Sequence, residues 1–470
     1  MKYNLNNLSH IDEFTYFYKN HLLPLLGISY EKPILSNRKN NNKLINIKNQ
    51  ELCFFENETS DNCYIIKVSK NFPKNSLSIL RCVYKEINMI RYKKHDDSVK
   101  NVYYSFQHLQ SNYFTAVQKG ISEWFSGSID TNNILCLLDQ LEKWSLKTYE
   151  GKKMSFAFVI NNEKNGSFDY MDFFQEEYSA TFSDGITSII ELDSNLNFYE
   201  FHSLTSLENC DYTIKNAPYR FSQVINNFTD KKIAIFLLSN GDIILIKNKE
   251  IELVKREGKW LNFNKSVFID FICTEFNDES DDFKRILLEI YLSCLDVSFA
   301  HAGGIIACIL PNKINDLVGS NIYEKIVKKE IDTDCFEHDN QIIHFLDNFK
   351  IPILSYNILC KRFPNIFKNN EMKKRFIKRD FLLNICKNKK FYDIDRNLRC
   401  ELLSMDGATI IDKNADIISI GAIIQNKSGS YGGGRGAAAR RLSNYGFAIK
   451  ISTDGYIELY IKDRLKYKIK

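Results

Sequence analysis

Short apolar runs and stretches of helical period alternate along this chain, divided by Asp-Gly, Asn-Gly and glycine-rich turns. In the C-terminal half the spacing predicts a helix over residues 283–296 and a buried strand over 303–310. Two further strands, 408–411 and 417–424, flank the polar turn 412–416. A short alanine-rich helix over 437–444 follows, with Gly446 placed to end it. A hairpin of 447–452 and 456–461 turns at Thr453-Asp454-Gly455. Upstream, the pattern predicts an amphipathic helix over 10–27 closed by Gly27 and a solvated Asn/Lys-rich connector over 36–48. It also predicts β-like runs at 63–68 and 102–106 around a helix over 76–92. The chain therefore reads as α/β, a mixed β-sheet flanked by helices.

The same order occurs earlier. A helix over 133–146 precedes a strand over 154–160. Ser183-Asp184-Gly185-Ile186-Thr187-Ser188-Ile189-Ile190 parallels Met405-Asp406-Gly407-Ala408-Thr409-Ile410-Ile411. A helix over 221–227 then leads to a hairpin of 233–239 and 242–247 around Asn240-Gly241. Two tandem copies are expected, about 220 residues apart. The domain layout expected is an N-terminal mixed α/β region 1–114, a first copy 115–255 and a second copy 256–470 with an insert at about 346–399. In the first copy Asn216-Ala217-Pro218-Tyr219-Arg220 takes the place of the glycine loop, and Pro218 removes an N–H donor there.

Composition narrows the possibilities. With 470 residues, 44% of them hydrophobic, the chain can bury several cores, and a net charge of +5 on that length points to no nucleic acid or membrane surface. It lacks a secretory apolar core at its start and an apolar run of membrane-spanning length, so a cytoplasmic protein is expected. The 12 cysteines form no C-x-x-C pair and fall mostly in apolar runs, where they act as small hydrophobes. Cys335, His338 and His344 fit no usual zinc spacing. The insert interleaves Lys and Arg with Phe363, Phe367, Phe376 and Phe381. That pattern suits single-stranded nucleic acid, but at this low overall charge a core-facing helix stripe fits it better. The polar run 147–153 reads as an exposed connector in which Tyr149 offers a stacking surface and Glu150 a metal or ribose contact.

The strongest chemical signal is Gly432-Gly433-Gly434-Arg435-Gly436. Glycine lets backbone approach a ligand, and the helix start that follows directs free N–H groups and a positive dipole end at it. Arg435 adds forked donors suited to phosphate. Asp406, just before Gly407, is placed to hold a divalent cation that bridges phosphates. An ordinary surface loop beside a core hairpin accounts for the same spacing.

At these residues the chain resembles the diadenylate cyclase (DAC) domain of the DNA-integrity-scanning family. Asp406-Gly407-Ala408 matches the family's DGA motif. Gly433-Gly434-Arg435-Gly436-Ala437-Ala438-Ala439 falls on its G-T-R-H-R-A-A motif, with Ser443 at the serine that follows. His301-Ala302-Gly303-Gly304-Ile305-Ile306-Ala307-Cys308-Ile309 is similar to its glycine-led strand, and the likeness spans roughly 265–465. The family's threonine, histidine and second arginine fall on Gly434, Gly436 and Ala437, and its Ser-Glu-Glu run is Ser452-Thr453-Asp454. The resemblance implies a phosphate site at Asp406, Gly407, Ala408, Gly432, Gly433, Gly434, Arg435, Gly436 and Ser443, with Mg²⁺ or Mn²⁺ at Asp406. It also implies a face-to-face pair of domains, within one chain as a pseudo-dimer or between chains as a homo-oligomer. A DAC-like protein that senses an adenine nucleotide or cyclic dinucleotide is the leading expectation. The alternatives are an active diadenylate cyclase and an interaction protein that binds no nucleotide.

Overall fold

A computed structural model describes residues 15, 17–26, 34–40, 43–48, 51–55, 58–67, 74–95, 106–127, 129–170, 182–205, 217–228, 232–263, 265–310, 386, 389–422, 424 and 433–469. The expected residues Gly432, Cys335, His338 and His344 and most of the basic insert lie outside them. The chain is α/β, with mixed sheets flanked by helices. It divides into two compact units, Met1–Phe271 and Ile272–Lys470.

The first unit opens with a π-helical turn, Tyr18–Leu22, that continues into α1 (Leu23–Leu26). β1 (Ile34–Asn37), β2 (Ile45–Lys48), β3 (Glu51–Phe55) and β4 (Asn62–Lys67) form an antiparallel sheet in the order β1-β4-β3-β2. Both ends of the expected connector over 36–48 are thus strands of this sheet. β1 and β2 are the two edge strands of the sheet, and the Asn/Lys-rich run lies between them. α2 (Lys74–His95) and α3 (Phe106–Ser126) pack together. The expected boundary at 114/115 falls inside α3, so the N-terminal region and the first copy share one unit. Buried Asn262 donates to Ser76 Oγ at 2.9 Å and through its backbone to the Pro24 carbonyl, tying the two ends of the unit.

α4 (Thr131–Ser145) is capped by Asp130, which accepts from the Asn132 N–H at 2.7 Å. The small hairpin of β5 (Thr148–Tyr149) and β6 (Lys152–Lys153) follows, where a connector is expected. β7 (Phe156–Asn161), β8 (Phe168–Asp169), β9 (Ser188–Asp193), β10 (Asn197–Ser203), α5 (Ser222–Phe228), β11 (Ile233–Leu237), β12 (Ile243–Lys247), β13 (Glu250–Arg256) and β14 (Lys259–Leu261) complete the unit. The eight strands from β7 to β14 pair in the order β14-β13-β12-β11-β7-β9-β10-β8. Phe156, Phe158 and Ile160 face the helical core, where Trp144 meets Phe156 edge-on. Phe236 packs on Phe221, just ahead of α5. The expected boundary at 255/256 cuts β13.

α6 (Lys265–Phe276) spans the division between the units. The second unit continues with α7 (Asp281–Phe299), β15 (Gly304–Ile309), α8 (Arg396–Ser404), β16 (Ala408–Asp412), β17 (Ile417–Ala422), α9 (Gly433–Leu442), β18 (Gly446–Ile451), β19 (Ile457–Ile461) and β20 (Arg464–Ile469). Its sheet runs β17-β16-β15-β18-β19-β20. β15 and β16 are parallel and the other neighbours antiparallel. In the first unit the run β10-β9-β7-β11-β12-β13 has the same sequence of connections, with β7 and β9 the parallel pair. Strand for strand, six positions agree in order and sense.

Small side chains set the spacing in the second unit. Ala307, Ala408, Ala422 and Ala448 on the sheet meet Ala438, Ala439 and Leu442 of α9, so the helix lies close to the strands. On that sheet Glu458 accepts from Lys450 Nζ at 3.0 Å, Tyr460 Oη at 2.9 Å and Lys468 Nζ. Burial alone would raise its pKa, but Lys468, Lys450 and Tyr460 outweigh burial and bring it down to about 2, against 4.5 ordinarily. A carboxylate depressed on folding stabilises above its unfolded pKa and loses that contribution as pH falls through its folded one. The urea midpoint of the second unit is therefore expected to drop between pH 4.5 and about 2. Glu458→Gln should flatten that part of the profile; an identical profile in the variant would rule the group out.

Candidate functional site

The starts of parallel β15 and β16 and the end of antiparallel β18 meet at one end of the second sheet, where Gly304 pairs with Ile451. Asp406-Gly407 leads into β16 there, and the exposed turn Thr453-Asp454 leaves β18. The start of α9 reaches the same end, because the Arg435 guanidinium lies against Gly303, beside Thr453. The fold thus brings together Asp406, Gly407, Arg435 and the helix start at Gly433 and Gly434.

The glycine run is not a loop. Gly433, Gly434, Arg435 and Gly436 form the first turn of α9, which ends at Leu442 instead of continuing to 444. The docked alanine face sets these bounds against glycine's poor helix propensity, a cost of about 1 kcal/mol per residue. Gly446 is the first residue of β18 and not the helix stop; Ser443–Tyr445 close the helix through bonds to Ala439, Arg441 and Leu442 carbonyls.

Each candidate has a definite setting. Gly433 has φ +77°, which only glycine adopts readily, and a Cβ on Gly433 or Gly434 would meet nothing within 4 Å. Both are exposed, and at Gly434 the backbone faces solvent where a ligand can approach. Gly436 is buried. Arg435 is half-buried and forms no ion pair or hydrogen bond among the described residues. Asp406 is exposed, and its carboxylate accepts no hydrogen bond among the described residues. Gly407 has φ +99°, and a Cβ there would overlap the Gly421 carbonyl carbon, so it is required by the hairpin itself. Ala408 is fully buried under α9 and serves the core.

Ser443 does not belong to this group. It lies at the far end of α9, about 15 Å along a helix of this length. It is buried, donates to the Arg440 carbonyl at 2.7 Å and accepts from the Asp463 N–H at 3.0 Å. Its role is to join the helix end to the β19–β20 turn. Gly303 and Thr453, in turn, belong to the site only through their contact with Arg435, which no spacing in the sequence announces.

The corresponding end of the first unit is closed. Asp184 accepts from the Ile186 and Thr187 N–H groups at 2.8 and 2.7 Å and from Thr187 Oγ1 at 3.0 Å. Burial alone would raise its pKa; the bonds from Thr187 and Ile186 outweigh it and hold the carboxylate below its usual range. The Phe236 ring fills the space beside Gly185.

Among the described residues the one group of three metal-type ligands is Glu191, Glu200 and His202 in the first unit, and Asp406 belongs to no such group. Glu191 is already bonded to Asn161 at 2.6 Å, His202 at 2.7 Å and Lys232 at 2.8 Å. Burial would raise its pKa, but Lys232, Asn161 and His202 together lower it. The lysine supplies the positive charge that a metal would bring.

No described helix is long and apolar enough to cross a membrane. No family model, curated protein or solved structure matches this chain.

Proposed function

We propose that the second unit binds an adenine nucleotide or cyclic dinucleotide by its phosphates at the start of α9, and that the protein senses this ligand. The observation that carries the reading is Arg435: a half-buried guanidinium with no acidic partner among the described residues, next to the exposed Gly434 at the start of the helix. Phosphate oxygens would take bonds from the guanidinium and from N–H groups at the helix start such as that of Gly434. Asp406 fits a Mg²⁺ or Mn²⁺ ion held by one carboxylate and the ligand's phosphates, since its oxygens are exposed and uncommitted among the described residues. Such an ion would neutralise phosphate charge.

A sensing role fits better than turnover because one arginine stands where the resembled motif has an arginine, a histidine and a second arginine. We further read the two units as copies of one domain, on the ground of their shared strand order. The first copy lacks an open site, since Asp184 is bound by its own loop and Phe236 covers Gly185.

Calorimetric and melting measurements with ATP and cyclic di-AMP test this. Ligand at 100 times its Kd should add about 2.7 kcal/mol of stability. An unchanged melting temperature with both ligands would reject binding. A cyclic di-AMP product from ATP with Mn²⁺ or Mg²⁺ would replace sensing by catalysis. Asp406→Asn is expected to weaken binding only when a divalent ion is present. Equal losses with and without the ion would show that Asp406 acts on the turn and not on a metal.

A further inference from the structure

We propose that Gly303 is a positioning residue for Arg435: its missing side chain leaves the surface on which the guanidinium lies, and so fixes where the cation is presented. A Cβ at Gly303 would overlap Arg435 Nη1, come within 2.8 Å of Cζ and stand 3.3 Å from Thr453 Cγ2. The strand entry at Gly303 and the Thr453 turn are both anchored by the β15–β18 pairing, while Arg435 ends in a flexible side chain. An added methyl therefore moves the arginine and leaves the strand in place.

The neighbouring glycine makes the contrast. A Cβ at Gly304 would overlap the Leu403 carbonyl oxygen, which is backbone at the end of α8. Gly304 thus keeps two elements in contact, whereas Gly303 keeps one side chain in position. Gly303 is buried and has no positive φ, so alanine fits its backbone without strain. A hydrogen bond to phosphate is lost once the donor–acceptor distance exceeds about 3.5 Å, so a displacement of about 1 Å is enough. A shifted guanidinium consequently loses its share of the anion site. This effect on the ligand rests on the phosphate-binding reading; the placement of Arg435 does not.

Two measurements on the 470-residue chain carrying Gly303→Ala separate these. The first needs no ligand: phenylglyoxal labels arginine, and the rate at Arg435 is followed by mass spectrometry. Labelling is expected to rise several-fold in the variant, with the circular dichroism spectrum unchanged. An unchanged rate at Arg435 overturns the proposal. The second is calorimetric titration with ATP and Mg²⁺. Gly303→Ala is expected to lose about tenfold in affinity, and adding it to Arg435→Ala should cost little more, since both act through one group. If Arg435→Ala weakens ATP binding but Gly303→Ala binds as the parent does, the positioning role is wrong and the phosphate site stands. If labelling rises while the parent binds no ATP, the positioning role stands and the phosphate site is wrong.

Discussion

Arg435→Ala is expected to lower nucleotide affinity by about ten- to hundredfold, because a charge-assisted hydrogen bond contributes roughly 1.5–3 kcal/mol and each 1.4 kcal/mol is about a factor of ten. The side chain is half-buried against Gly303 and has no ion pair among the described residues whose loss would cost stability. The variant should therefore fold as the parent does. Arg440 is the control. It is exposed one helical turn further on, with its guanidinium 5.8 Å from the Tyr460 ring centre, a contact of modest strength at the surface. Arg440→Ala should bind nucleotide almost normally. Calorimetric titration of both variants decides the matter. Equal binding by Arg435→Ala and the parent would remove the phosphate cradle, and the shared topology of the two units would then concern fold alone.

Much of the second unit was legible because its strands are apolar, β-branched and bounded by turn residues. The strand over 303–310 is β15, and the hairpin around Thr453-Asp454-Gly455 joins β18 to β19. The features that escaped have physical reasons. β20 carries Arg464, Lys466 and Lys468, so its charge masks a strand whose Lys468 is neutralised by Glu458 across the sheet. β1 and β2 flank the Asn/Lys-rich run 37–43 and read as solvated chain with it until their pairing with β4 and β3 is seen. The start of α9 was hidden because local propensity favours a loop at three consecutive glycines, while packing of Ala438, Ala439 and Leu442 favours a helix. At the site, Asp406 and Arg435 were visible as residue types. Ser443 was misplaced because motif spacing carries no information on which end of a helix faces the ligand. The contact of Arg435 with Gly303 joins residues far apart in sequence, brought together where α9 docks on the sheet beside β15.

The largest loss of stability is expected from Gly446→Ala. Gly446 opens β18 opposite Ile309, and a Cβ there would overlap the Cys308 carbonyl oxygen and stand 3.1 Å from its carbon and 3.2 Å from Ile309 Cα. All three are backbone atoms of β15, the strand between β16 and β18 at the middle of the sheet. They cannot yield without separating a pair on which the Ala448–α9 packing also depends. Overpacking of this kind costs typically about 1–3 kcal/mol and more where backbone must move. For a unit of this size that is a fall of several degrees in melting temperature, at roughly 2–4 °C per kcal/mol. Circular dichroism follows the whole chain, while the three tryptophans, Trp124, Trp144 and Trp260, all lie in the first unit and report on it separately. Gly434→Ala is the matched comparison: its Cβ would meet nothing within 4 Å, and alanine is the better helix former. It should leave the transition unchanged or raise it slightly. A Gly446→Ala protein that melts with the parent would mean that β15 and β18 do not approach as closely as their pairing requires.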